Sequence, residues 1–580
     1  MKHADADIKK LPRHFLPEDF KVTTWEALQP FFEDLKQREL PDKAALEQWL
    51  KDLSELEAVV SEDACWRQIR MTCDTTDETY RNAFTYFCME IQPRLQPYAF
   101  ELNKKLLACP FTKELDQQMF FTYLRSVQKS VDLFQEKNIP LMAEVNVMQQ
   151  EYGQITGAMT IEVKGQEYTL QQAAKFLEHV DRGLREEVFT KMAARRMADR
   201  DALDTLYSNL VGKRDQIARN AGFANYRDYK FEELGRFDYT KEDCFAFHDA
   251  VREHVVPLVA KISERQRQKL KLDKLRPWDT EAEPEGIKPL EPFTTGEELV
   301  EKAEECFTRL RPFFGDCLRT MQRMHHLDLE SRKGKAPGGY NCPLAETGVP
   351  FIFMNAAGQM KDVTTIVHEG GHAIQAFLTH GLQLSAFKEY PMEIAEVASM
   401  SMELFTMDYW DLFFDNPDDL RRAKLQQLER VITIFPWIAT IDKFQHWIYE
   451  HPDHTVSMRT EAWERIQDEF SAHVVDWSGL ETYRSCAWQR QLHLYEVPFY
   501  YIEYGIAQLG AIAMWKQLRE NKEQALDNYM KALGLGYTVP LKELYAAAGI
   551  RFDFSPDYVR TLIAFVQQEM DQLINPPHNE

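Results

Sequence analysis

Residues 366–377 read IVHEGGHAIQAF, and the fold and the chemistry both turn on this stretch. His368 and His372 are four residues apart, slightly more than one helical turn, so on a helix both imidazoles project from one face. Glu369 lies about 100° further round the same turn. This HExxH arrangement suits two neutral imidazoles gripping one cation, with the carboxylate beside the ion as a base for water. Ile366, Val367, Ala373, Ile374 and Phe377 surround the polar triplet with apolar side chains, which places the imidazoles on a partly buried face. Two His and a Glu in register on such a face are hard to satisfy without a cation. Gly370 and Gly371 each cost about 1 kcal/mol of helix propensity relative to Ala. They are expected to face a cleft and leave room for a substrate backbone.

A third ligand is expected downstream, on a second helix. MEIAEVASMSMELF, residues 392–405, is the candidate. Glu396 lies far enough past His368 for one helix to finish and the next to return. Glu393, Glu396 and Glu403 fall near one face, and Ile394, Val397, Leu404 and Phe405 face elsewhere. A solvated acidic face is the plain alternative. The functional reading makes Glu396 the ligand and Glu403 an acceptor for a ligand imidazole.

Working outward, the first 155 or so residues are helical in pattern; between Leu95 and Leu107, for example, Tyr98, Leu102 and Leu106 share a face. ITGAMTIEVKGQEYTL, residues 155–170, alternates apolar and polar positions around Lys164-Gly165 and predicts a β-hairpin. LRPWDTEAEPEGIKPLEPFTTGEE, residues 275–298, is rich in Pro and charge and reads as a surface connection. In SRKGKAPGGYNCPLAETGVPFIFMN, residues 331–355, Gly and Pro break helices and PFIFMN forms a short strand just before the His-bearing helix. A division at 195/196 is expected: an N-terminal helical region with the hairpin, then a catalytic region over 196–580.

The 580 residues carry 69 basic and 92 acidic side chains, a formal charge of −23. Such a chain repels nucleic acid and anionic membrane, so neither is an expected partner. The N-terminal residues show no apolar signal core, and VITIFPWIATI and the run from Tyr504 to Trp515 are too short to span a bilayer. The nine cysteines are scattered without paired spacing, which suggests reduced thiols. A cytoplasmic location is the expectation. Composition leaves the oligomeric state open.

HEGGHAIQAF followed by EIAEVASMSMELF resembles the thimet oligopeptidase and oligoendopeptidase F family of zinc metallopeptidases, closest to the oligoendopeptidase F branch. The similarity extends through RNAGFANYRDYKFEELGRFDYT, SRKGKAPGGY and PFIFMN to the C-terminal region. It implies a mostly α fold, a two-lobed helical zincin with a deep substrate channel and a small β-sheet near the active-site helix. It also implies one zinc ion per chain, held by His368, His372 and Glu396, and a metalloendopeptidase acting on short oligopeptides. Gly370 departs from the resemblance, since many relatives carry a larger apolar residue there.

The family also carries a His followed by a Tyr-rich segment that closes on substrate. In HLYEVPFYYIEYG, residues 493–505, His493 matches that His, and Tyr501 and Tyr504 match the paired tyrosines by their spacing of three; whether Tyr500 or Tyr501 points inward stays open. With Glu369 as base, His493, Tyr501 and Tyr504 are the expected catalytic groups. Gly338, Gly339 and Tyr340 are candidates for binding substrate backbone, or else an ordinary turn. The alternative activity is a zinc carboxypeptidase or dipeptidyl carboxypeptidase on the same helix, which needs a cation for the substrate's terminal carboxylate; Arg484 and Arg490 are near in sequence.

Overall fold

A computed structural model describes residues 6, 8 and 10–576. Helices dominate it. The elements used below are α1 (Trp25–Gln37), α2 (Lys43–Cys73), α3 (Gln92–Ala108), β1 (Thr160–Val163), β2 (Gln166–Thr169), α4 (Lys241–Ala250), β3 (Leu327–Glu330), β4 (Tyr340–Cys342), β5 (Phe351–Ala356), α5 (Met360–Thr379), α6 (Met392–Phe405), α7 (Pro417–Glu450), α8 (Ile502–Glu520), α9 (Lys522–Gly534) and α10 (Leu541–Ala547).

The chain forms two compact units, and each is assembled from three separate stretches. Unit 1 comprises residues 1–132, 290–424 and 507–552; unit 2 comprises 133–289, 425–506 and 553–580. The expected boundary after residue 195 is a single cut. Contacts over long sequence separation, which composition does not reveal, interleave the units instead.

In unit 1, α1, α2 and α3 bury Leu28, Leu35, Trp49, Leu56 and Leu106 in one apolar cluster, and Leu384 and Phe387, from the loop after α5 and the one-turn helix Ser385–Lys388 within it, fill the same cluster. Hydrogen bonds between Ser54 and Ser385 pin that loop to α2. The second core of this unit lies around a three-stranded sheet of order β3-β5-β4, with β3 parallel and β4 antiparallel to β5. Phe351, Ile352, Phe353 and Met354 of β5 are all buried, as a continuous apolar run in a central strand must be. The chain then turns at Gly358, whose φ of +82° suits glycine. The Asp362 carboxylate accepts from Ala357 N and Gln359 N at 2.8 and 2.9 Å, which satisfies free amides at the start of α5.

In unit 2 the predicted hairpin is present. β1 and β2 pair antiparallel from Thr160–Thr169 to Val163–Gln166. Lys164 and Gly165 both have positive φ, 53° and 78°, as a two-residue turn between twisted strands requires. The stretch 275–298 departs from its expectation as a surface connection. In its first half, Leu275, Trp278, Asp279 and Ala282 are buried. Asp279 accepts from Arg182 and Arg185 at 2.8 and 2.9 Å, an ion pair that pattern reading misses because its arginines are almost a hundred residues away.

No helix among the described residues is long and apolar enough to cross a membrane. VITIFPWIATI lies within α7, and Tyr504–Trp515 within α8. All nine cysteines are free thiols, six of them buried.

Candidate metal centre and aromatic cluster

Helix α5 crosses α6 where glycine permits close approach. A Cβ at Gly371 would lie 2.6 Å from the carbonyl oxygen of Ala398 and from Ser399 Cα, so only glycine lets the two backbones meet there. A Cβ at Gly370 would lie 2.6 Å from the Phe307 ring. Both glycines are buried in helix packing. The expectation that they open a cleft to substrate is therefore corrected: their missing side chains make room for Phe307 and for α6. A larger residue at 370 would need Phe307 to move.

The close crossing brings α6 carboxylates to the imidazoles of α5. His368 Nε2 and His372 Nε2 lie 3.4 and 3.9 Å from the same Glu396 oxygen, Oε2. Around a tetrahedral zinc with bonds near 2 Å, neighbouring donors are spaced by about 3.4 Å. One donor atom from each of His368, His372 and Glu396 falls within 4.8 Å of the others. The ring proton of His368 sits on Nδ1, which donates to Glu403 Oε1 at 2.7 Å. That hydrogen bond fixes the ring and leaves the Nε2 lone pair for a cation. Ser399 Oγ donates to Glu396 Oε2 at 3.1 Å. Two neutral nitrogens and one carboxylate oxygen converging on a point fit a zinc ion.

The face carrying Glu393, Glu396 and Glu403 is largely buried, with Glu393 at 3% and Glu396 at 6% exposure, so a solvated acidic stripe is excluded. Buried hydroxyls brace α6 from behind: Tyr529 of α9 donates to Ala398 O at 2.7 Å and Tyr545 of α10 to Glu393 O at 3.0 Å.

Titration reflects this crowding. Burial opposes charge on His368, but its hydrogen bonds to Glu396 and Glu403 outweigh burial and hold the ring well above the ordinary imidazole value. Burial, with the charge on His368, pulls His372 down to about 4. Burial raises the Glu369 carboxyl to about 7, with Glu396 and Glu403 adding to the rise and His368 opposing it. Two carboxylates here thus hold a proton on one ring, the charge a divalent cation would replace.

Asn341 of β4 donates to Glu369 O at 3.1 Å and ties the edge strand to α5. Gly338 has φ +102°, and Asn355 donates to its carbonyl at 2.9 Å. The Tyr340 hydroxyl is hydrogen-bonded to Thr72 at 2.6 Å, and its ring stacks on Phe353 with centroids 4.9 Å apart. Tyr340 is thus engaged in packing, and what remains at 338–340 for a ligand is backbone.

The four aromatic residues 493, 500, 501 and 504 lie in unit 2 and form one cluster. His493 packs edge-on against Tyr501 at 4.8 Å and Tyr504 at 5.9 Å, and Tyr500 packs against Tyr504 at 5.4 Å. The segment is set by Phe499, buried with φ +66°, a costly value for a side chain of this size. Gln445 Oε1 accepts from Phe499 N at 2.6 Å and Arg236 donates to its carbonyl, which hold that conformation. Gln491 Nε2 donates to His493 Nδ1 at 2.6 Å, which leaves the ring proton on Nε2. Burial lowers the His493 pKa and raises that of Tyr501, so both remain neutral hydrogen-bond donors. Arg484 is paired with Asp468 at 3.4 Å, and Arg490 lies over the Trp437 ring, 4.6 Å from its centroid.

Residues 176–563 match Peptidase family M3, and residues 15–134 match the Peptidase M3 N-terminal domain. The chain is 21% identical over 410 residues to oligopeptidase PepF of Bacillus subtilis, covering 69% of this chain and 58% of that protein. It is 22% identical over 376 residues to an oligoendopeptidase F homolog of Borreliella burgdorferi, covering 62% and 60%. It thus spans about three fifths of the length of these relatives. A solved structure of PZ peptidase A with an inhibitor superposes with a TM-score of 0.87 at 28% identity, covering 95% of this chain and 98% of that one.

Proposed function

Because the chain belongs to peptidase family M3, we propose that it is a zinc-dependent endopeptidase acting on short oligopeptides, with one catalytic zinc held by His368, His372 and Glu396. The observation that carries this reading is the convergence of both imidazole Nε2 atoms on Glu396 Oε2, with Glu403 fixing His368 from behind. A zinc ion held there supplies positive charge that acidifies water and polarises a carbonyl.

The chain's own groups do the rest. Glu369 accepts a proton from the attacking water onto its carboxylate, as a general base near neutral pH should. The scissile carbonyl oxygen becomes an oxyanion, and neutral donors receive it: Tyr501, Tyr504 and the Nε2–H of His493. Glu369 then hands its proton to the amine nitrogen as the C–N bond breaks. The role of the tyrosines and His493 rests on their donor chemistry and on the family resemblance. The backbone of Gly338 and Gly339, leading into edge strand β4, is proposed to hold an extended peptide by main-chain hydrogen bonds.

Digestion of one peptide in free-acid and C-terminally amidated forms, read by mass spectrometry, tests the reading. Internal cleavage at similar rates is expected for both. Loss of cleavage on amidation would replace the endopeptidase with a carboxypeptidase or dipeptidyl carboxypeptidase. Tyr501→Phe is expected to lower kcat by about 10²–10³-fold with little change in KM, the size of one lost oxyanion donor; unaltered kcat removes Tyr501 from the mechanism. Glu403→Ala is expected to weaken zinc affinity by about 10–100-fold, measured by competition with a chelating dye.

A further inference from the structure

A second group of ligating side chains lies in unit 2, built from two helical i, i+4 pairs. Cys244 and His248 share one face of α4, and Asp442 and His446 share one face of α7. All four are at most 2% exposed. One donor atom each of Cys244, Asp442 and His446 lies within 4.8 Å of the others. His248 Nε2 lies 2.8 Å from Asp442 Oδ2 in a hydrogen bond. His446 Nε2 lies 3.3 Å from the same oxygen but outside hydrogen-bonding alignment.

The polar bookkeeping does not close without a ligand. Asp442 Oδ1, both ring nitrogens of His446 and His248 Nδ1 are buried and have no hydrogen-bond partner. The rings of Phe231, Phe245, Phe499 and His248 pack against His446. Buried polar atoms are normally paired, and a cation would supply the partner that the Asp442 carboxylate and one ring nitrogen of His446 lack. The geometry points to a second metal site: we propose that Cys244, Asp442 and His446 bind a thiophilic divalent cation, zinc by its ligand set, with His248 hydrogen-bonded to the Asp442 carboxylate.

Charge and chemistry agree. A thiolate and a carboxylate neutralise a divalent ion, so the bound cluster carries no net charge into an apolar surrounding. Sulfur, imidazole and carboxylate donors together select zinc over magnesium or calcium. Ligating carboxylates are themselves hydrogen-bonded by outer groups, and His248 is so placed on Asp442. The helix continues past α4 as one wide π turn, Val251–Val255, a distortion often found beside ligand sites.

The catalytic set His368, His372 and Glu396 contains no sulfur, so a thiolate signature reports the second site alone. The full chain is produced in cobalt-supplemented medium and its near-ultraviolet absorption recorded. A thiolate-to-cobalt charge-transfer band is expected in the wild type and in the double variant His368→Gln/His372→Gln, and its loss in Cys244→Ser. Zinc-grown protein is expected to hold two ions per chain, falling to one in Cys244→Ser, in His446→Gln and in the double variant. The double variant leaves unit 2 untouched, so it tests the site even where the unit 2 variants do not fold. A wild type without the thiolate band, a band that survives Cys244→Ser, or a double variant free of metal would each overturn the proposal. The first two results leave the catalytic reading standing; two ions lost together in the double variant would sink this site only.

Discussion

Glu369→Gln is expected to leave metal content at the wild-type value and to lower kcat by about 10²–10⁴-fold, the range of a lost general acid–base. Gln is the same size and keeps the packing of a buried side chain. It cannot accept a proton at neutral pH, so both the uptake from water and the delivery to the amine are lost. The ligands are unaffected because none of them bonds to the Glu369 side chain; the link from Asn341 is to its backbone carbonyl. KM is expected to stay within a few-fold, since substrate binding does not use the proton. Metal analysis and steady-state kinetics on an internally quenched peptide check this together. A variant that retains wild-type kcat would show that another group activates the water.

Gly371→Ala is expected to abolish both metal binding and turnover. In an exposed helix this change would stabilise by about 1 kcal/mol. Here the new Cβ meets backbone, Ala398 O and Ser399 Cα at 2.6 Å, and backbone cannot swing aside as a side chain can. Overpacking of this kind costs about 1–3 kcal/mol, which outweighs the gain in propensity. Its functional effect is larger. The helices must separate, Glu396 is carried away from His368 and His372, and a site that tolerates about 0.5 Å loses its third ligand. Gly370→Ala is the control: its Cβ meets the edge of the buried Phe307 ring, a side chain rather than backbone, so stability is expected to fall while metal is retained. Equal zinc content in both variants would show that the α5–α6 crossing does not set the ligand geometry.

How much of this was legible in sequence depends on the range of each interaction. HExxH spacing alone places His368 and His372 on one face, and the 3.6-residue period brings Glu396 and Glu403 to one side of α6. The hairpin at Lys164-Gly165 and the strand PFIFMN carry their own local signals. Gly371 was misread because a glycine's purpose depends on what lies opposite it, here a backbone nearly thirty residues later. The buried Asp279 pair was hidden by acidic, Pro-rich neighbours. Cys244 and His446 are two hundred residues apart, and each reads alone as a core residue. Only the meeting of α4 and α7 turns two unremarkable i, i+4 pairs into a cluster.

The interleaving of the units has a consequence during synthesis. Unit 1 begins with residues 1–132 but cannot close until residues 507–552 have emerged. Roughly 400 residues separate those pieces, which at ribosomal rates is on the order of tens of seconds. Until Leu384 and Phe387 emerge, well into that interval, the nascent chain presents Trp49, Leu56 and Leu106 without the plug those two residues supply. The early helices are therefore the part of the newborn protein that chaperones must shield, and a stalled or truncated product would be sticky at its beginning, far from where the break occurred.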